Sequence, residues 1–192
     1  MPGRETPSPP PTGIERSQTC ALRPRIHFMT LSRSSLGATV ALVAALLLTG
    51  CGDNAAPMST FVLLDGSTHT TQDFKGKVTL VNFWATDCAT CMDEMPQMTA
   101  TYDLYKNKGY DMVAVAMQYD KPSYVVNYAQ KNKLPFKVAI DNTGAIAKAW
   151  GQVQLTPTSF LLNKRGEIVK QYVGEPNFPQ LHKLIEQLSA QS

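Results

Sequence analysis

Two cysteines three residues apart, Cys88 and Cys91, directly follow an apolar, β-branched run from Val78 to Trp84. No other feature limits the possible folds of this chain so tightly. The run reads as a strand buried on both faces, and it breaks at Ala85-Thr86-Asp87. Helical spacing follows: Cys91, Met95, Met98, Tyr102 and Tyr105 recur at steps of four and three and form one apolar stripe. Both thiols therefore fall at a helix start, where unpaired amide N–H groups and the helix dipole favour the thiolate. Cys88 is expected to be the exposed attacking thiolate. Cys91, a turn further in and on the packed face, is expected to resolve a mixed disulfide. Thr86 and Asp87 are the expected N-cap residues, and Pro96 is expected to kink the helix by removing a backbone donor.

The first fifty residues have another character. Residues 1–28 are rich in Pro, Ser and Arg without an apolar period, and read as a non-translated or disordered leader. Met29 is the expected start. Arg33 then gives a positive flank to an apolar run over 36–48, too short for the ~20 residues that span a bilayer, so 29–50 reads as a signal peptide. Leu48-Thr49-Gly50-Cys51 resembles a bacterial lipobox, which makes Cys51 the expected lipid attachment site and a multi-chain membrane anchor. The alternative is an ordinary cleaved leader with an incidental cysteine. Residues 51–58 would be a tether and 59–192 one folded domain, long enough for a proper core.

Removing the leader changes the charge argument. Of 18 basic and 15 acidic residues, five arginines and two glutamates lie in 1–50, leaving 13 of each sign beyond it. A balanced domain with Arg165 as its lone arginine offers nothing to nucleic acid or a polyanion. The cysteines sort likewise: Cys20 lies in the leader and Cys51 is assigned to lipid, so Cys88 and Cys91 remain. Outside the cytoplasm, so close a pair reads as a redox couple rather than a structural staple.

Along the domain, 61–64 and 68–71 around Asp65-Gly66 predict a small hairpin, and 74–77 leads into the central strand. Gly109 is a stop signal after the first helix. Further strands are expected over 112–117, 136–140, 159–162 and 168–172, the last two joined by a turn at Asn163-Lys164-Arg165-Gly166. Helices are expected over 121–133, 143–150 and 178–190, the last with Leu181, Leu184, Ile185 and Leu188 on one face. Alternating strands and helices closed by a hairpin predict an α/β sandwich, a mixed sheet with helices on both faces.

The run Phe83-Trp84-Ala85, the pair Cys88 and Cys91, and Pro96 five residues beyond resemble the thioredoxin superfamily. The likeness is nearer to membrane-anchored thiol–disulfide oxidoreductases of the TlpA/ResA type. Asn82 stands where thioredoxin keeps a buried carboxylate, and Glu94 matches an acid that this subgroup uses near its active site. The extra strand–helix unit over 136–150 is also typical of that group. The resemblance implies a thioredoxin-like fold, a redox disulfide between Cys88 and Cys91, and a cis bond at Thr156-Pro157 facing them. It further implies a peptide-binding surface that includes Trp84, Thr156 and Pro157. Glu94 lies three residues after Cys91; if buried, its carboxyl would have a raised pKa and could exchange a proton with that thiol. A solvated carboxylate beside Asp93 is the plainer alternative.

Several chemistries are disfavoured. Met92, Met95 and Met98 invite a Cu(I) reading beside the thiols, but methionine at helical steps more often packs a core. A zinc site lacks ligands, since the domain adds only His69 and His182 at no motif spacing. A peroxidase of the peroxiredoxin sort needs a threonine where Ala85 stands. Asp87 opposes thiolate formation at Cys88, and Ala89-Thr90 lacks the histidine found in strongly oxidising relatives. The resemblance implies a thiol–disulfide oxidoreductase at the periplasmic face of a bacterial envelope, with no cofactor, and the missing histidine favours a reducing role over an oxidising one. By the same resemblance its expected partners are protein disulfides, such as those of apocytochrome c, and a membrane electron donor. A Cu(I) metallochaperone for cytochrome oxidase assembly is the alternative.

Overall fold

The computed structural model describes residues 54–191. The expected leader, signal peptide and lipidated Cys51 lie outside the described residues. Element order is β1 (Thr60–Val62), β2 (Thr68–Thr70), a 3-10 turn (Thr71–Phe74), β3 (Val78–Trp84), α1 (Ala89–Tyr105), a 3-10 turn (Lys106–Lys108) and β4 (Tyr110–Ala116). It continues with α2 (Pro122–Lys131), β5 (Lys137–Ile140), α3 (Ala145–Ala149), β6 (Thr158–Leu162), β7 (Ile168–Val173) and α4 (Phe178–Ala190). Among the described residues no helix is long and apolar enough to cross a membrane.

The main sheet runs β5-β4-β3-β6-β7, with β3, β4 and β5 parallel and β6 and β7 antiparallel to their neighbours. β3 is therefore central, and all seven of its residues are buried. That is why its sequence is a continuous apolar run rather than an alternation. Its side chains still divide by parity. Val78, Leu80 and Trp84 join Met112, Ala114 and Leu161 in a core beneath α1 and α4, together with Cys91, Met95 and Met98. Val81 and Phe83 join Val113, Val115, Phe160 and Leu162 in a second core on the opposite face. There Phe61 of the hairpin, Phe74 of the 3-10 turn and Trp150 after α3 close over the sheet, with Phe61 and Trp150 rings 6.3 Å apart. The hairpin is itself a two-stranded sheet, tied to the edge strand β5 by a bridge between Leu63 and Ala139.

The differences from expectation have local causes. β4 begins at Tyr110, not 112, because Asp111 is paired within the strand: its carboxylate accepts from Lys137 at 2.8 Å and from Lys77 at 3.2 Å. Burial alone would push that carboxyl up; the Lys137 bond and charge and the Met112 N–H hold it below the ordinary range. The helix expected over 143–150 starts only after Gly144, whose φ of 73° is left-handed backbone. α1 runs through Pro96 to Tyr105.

α4 packs Phe178, Leu181, Ile185 and Leu188 onto the sheet, while Leu184 is only partly buried. Its start is capped by Asn177, whose Oδ1 accepts from the Gln180 amide at 3.1 Å. Asn177→Ala is expected to cost about 1 kcal/mol, the usual worth of such a cap, read as a lower urea midpoint at unchanged m-value.

Candidate active site

Strand β3 ends at Trp84, and four residues carry the chain from the end of the sheet into α1. This connection is held from one side. The Thr86 amide and hydroxyl donate to the two carboxylate oxygens of Asp120, each at 2.6 Å. Engaged in this way, Thr86 does not cap α1, and exposed Asp87 does not either. The N-cap is Cys88 itself, whose Sγ accepts from the Cys91 amide at 3.1 Å. The expectation of Thr86 or Asp87 is corrected here. The sulfur takes the position of a capping oxygen, so the positive end of the helix is aimed directly at it.

Cys88 and Cys91 are joined as a disulfide, with Cα atoms 5.2 Å apart. The two sulfurs differ in access. Cys88 is half-buried at the rim, whereas Cys91 is completely buried and packs in the core with Met95 and Met98. Those methionines fill the interior under α1, and Met92 packs partly against it. Among the described residues no group of three or more His, Cys, Asp or Glu could hold a metal ion.

One helical turn into α1 from Cys91 begins a buried polar cluster. Glu94 is wholly buried, as are Asn82 of β3 and Ser159 of β6. Glu94 Oε1 accepts from Asn82 Nδ2 at 2.9 Å, and the same nitrogen donates to Ser159 Oγ at 3.0 Å. Burial pushes the Glu94 carboxyl up to about 7; the Asn82 hydrogen bond opposes that shift and the nearby Glu175 charge adds to it. A carboxyl with this environment is neither a solvated helix carboxylate nor a permanent anion. It changes charge near neutral pH, one helical turn from Cys91. Ser159 and Asp120 were not legible as site residues. No motif marks either, and each reaches the site through a contact remote in sequence.

The remaining expected residues divide. Thr156-Pro157 is a cis peptide, and the register pairing of Phe83 with Thr158 brings it to the sheet end where β3 delivers Cys88. Thr156 is half-buried and its Oγ1 lies 3.4 Å from the Tyr119 hydroxyl. Leu155 (66 % exposed) and Tyr119 (52 % exposed) flank it at the surface. Trp84, expected to help bind a peptide, is fully buried with its ring 5.5 Å from that of Tyr128. The placement corrects that expectation: even parity turns Trp84 inward under α1 and α2, and its ring offers no surface to a docking chain.

A sulfur pair of unequal access, poised on a helix start above a protonatable group, is built to pass two electrons between one disulfide and another. On a mixed sheet with this topology it defines a thioredoxin-like thiol–disulfide oxidoreductase. The Redoxin family profile matches residues 52–185, and the chain belongs to that family. The thiol–disulfide oxidoreductase ResA of Bacillus thuringiensis subsp. konkukian (strain 97-27) is 37% identical over 134 residues, covering 70% of this chain and 76% of the relative. A solution structure from Neisseria meningitidis described as a thioredoxin superposes with a TM-score of 0.68 at 40% identity, covering 73% of this chain and 93% of that one. The crystal structure of StoA from Bacillus subtilis superposes with a TM-score of 0.58 at 28% identity, covering 68% and 97%. The chain is a protein thiol–disulfide oxidoreductase of the ResA kind, with Cys88 and Cys91 as its C-x-x-C pair.

Proposed function

We propose that this enzyme reduces disulfides in partner proteins outside the cytoplasm, held to a membrane by lipid on Cys51. In the dithiol form, the Cys88 thiolate attacks a substrate disulfide; one sulfur–sulfur bond breaks, a mixed disulfide forms, and one substrate thiolate leaves. Glu94, as carboxylate, takes the Cys91 proton. The Cys91 sulfur then attacks Cys88, expelling the second substrate thiolate and closing the Cys88–Cys91 bond. The substrate gains two electrons, the enzyme loses two, and a membrane dithiol donor restores the starting state. Thr156 beside cis-Pro157 would receive the substrate segment. Haem-site cysteines of apocytochrome c are the substrate class expected from the resemblance to the TlpA/ResA group.

The observation that carries this reading is the unequal access of the two sulfurs. A half-buried sulfur at the helix cap can meet a protein disulfide; a core sulfur can meet only its neighbour. Cys91→Ala removes the resolving step and leaves the attacking one, so the variant should accumulate envelope proteins as covalent adducts through Cys88. Reducible adducts containing a C-x-x-C-H partner are the expected result. Adducts absent from both this variant and the reciprocal Cys88→Ala control would overturn the reading.

A further inference from the structure

Asn82 takes no part in the cycle above, yet it is wholly buried against Glu94 with both amide hydrogens engaged. One goes to Glu94 Oε1 at 2.9 Å and the other to Ser159 Oγ at 3.0 Å. Asn82 and Ser159 are direct cross-strand partners in the β3–β6 register, so the sheet itself fixes their contact. Ser159 also lies two residues beyond Pro157, in the strand that leads away from the cis peptide. A carboxamide has two unlike ends: its nitrogen donates and favours a carboxylate, whereas its oxygen accepts and favours a protonated acid. Here the nitrogen end is turned to Glu94, and Asn82 Oδ1 has no hydrogen-bond partner. In that orientation Ser159 Oγ accepts the second amide hydrogen, so the nitrogen is paired on both sides.

We propose that Asn82 and Ser159 are positioning residues that hold the amide nitrogen against Glu94 and so set how readily this carboxyl takes the Cys91 proton. The inference rests on the reading of Glu94 as the group that serves Cys91. Without Asn82 the buried carboxylate loses its one hydrogen-bond donor. Without the Ser159 hydroxyl, one amide hydrogen is buried unpaired, and the nitrogen-inward orientation loses its support. Exposed Glu175, just before α4, is the other charged group that bears on Glu94, and it is untouched by either change.

The test follows the Glu94 side-chain carboxyl by carbon NMR across a pH titration of the oxidised protein. Asn82→Ala should raise its midpoint by about one pH unit, the equivalent of one hydrogen bond to a charged group. Ser159→Ala should move it in the same direction, and Ser159→Thr, which keeps the hydroxyl, should return it toward the parent value. Should Asn82→Ala fail to fold, the two Ser159 variants carry the comparison alone. An unchanged midpoint in folded Ser159→Ala overturns the proposal. A second readout, the pH profile of mixed-disulfide resolution, should shift with the midpoint. If the carboxyl midpoint moves and the rate profile does not, the placement of Asn82 and Ser159 stands, and the assignment of Glu94 to Cys91 falls instead.

Discussion

Replacing Cys88 with serine is expected to abolish disulfide exchange, lowering the rate to that of the uncatalysed reaction. A serine hydroxyl is not ionised at neutral pH and forms no bond equivalent to the mixed disulfide, so the cycle has no first step. The substitution is also clean. Serine is a preferred N-cap, and its oxygen can accept the Cys91 amide that Cys88 Sγ accepts now. The variant should therefore fold, and its far-UV spectrum and urea midpoint should stay close to those of the reduced parent. Cys91→Ala differs in kind: it should release one substrate thiol per enzyme in a single burst and then stop. Stopped-flow thiol release from a model protein disulfide distinguishes the two. Steady turnover by Cys88→Ser would show that the accessible sulfur is not the nucleophile.

Glu94→Gln should alter stability and rate in opposite directions. In the folded protein the Glu94 carboxyl titrates at about 7, above its ordinary value of 4.5. The folded state thus retains a proton that the unfolded chain releases first. Its contribution to stability is fully present below pH 4.5 and is lost as pH rises toward 7, by about 3 kcal/mol in all. Glutamine keeps the shape and can still accept from Asn82, but it never ionises. Above pH 7 the oxidised variant should then be more stable than the parent by up to about 3 kcal/mol, with the two alike near pH 4. Turnover near neutral pH should fall by about 10²-fold, the usual contribution of one proton-transferring group, because the buried Cys91 thiol loses its acceptor. Urea melts from pH 4 to 8 provide the check. Parallel curves for variant and parent would mean that Glu94 carries no raised pKa. The parent chain gives up folding stability at this position, as buried ionisable groups in catalytic centres commonly do.

Much of the architecture could be read along the chain. β3 occupies 78–84 and α4 occupies 178–190 as their patterns predict, because each is a strongly periodic or continuously apolar segment with clear ends. Elements with a polar group inside them were less legible. Asp111 looks like a strand boundary until Lys77 and Lys137 are brought to it, and the stripe on α1 omitted Glu94 and Thr101, both of which face inward. Burial of a carboxyl has no signature in hydrophobic spacing, since its compensation comes from a partner elsewhere.

The amino-acid order alone settled the local chemistry: a buried strand, a turn, and two thiols at the start of a helix with the second on its packed face. Neighbours in the chain decide such features, through backbone propensity and the periods of strand and helix. Tertiary structure decided what surrounds the thiols. It set the depth of Glu94, turned Trp84 away from the surface, made Cys88 its own helix cap, and joined Asn82 to Ser159 and Thr86 to Asp120 across separations of 77 and 34 residues. Those contacts follow from strand register and from which face each side chain takes, and both exist only once the sheet has formed.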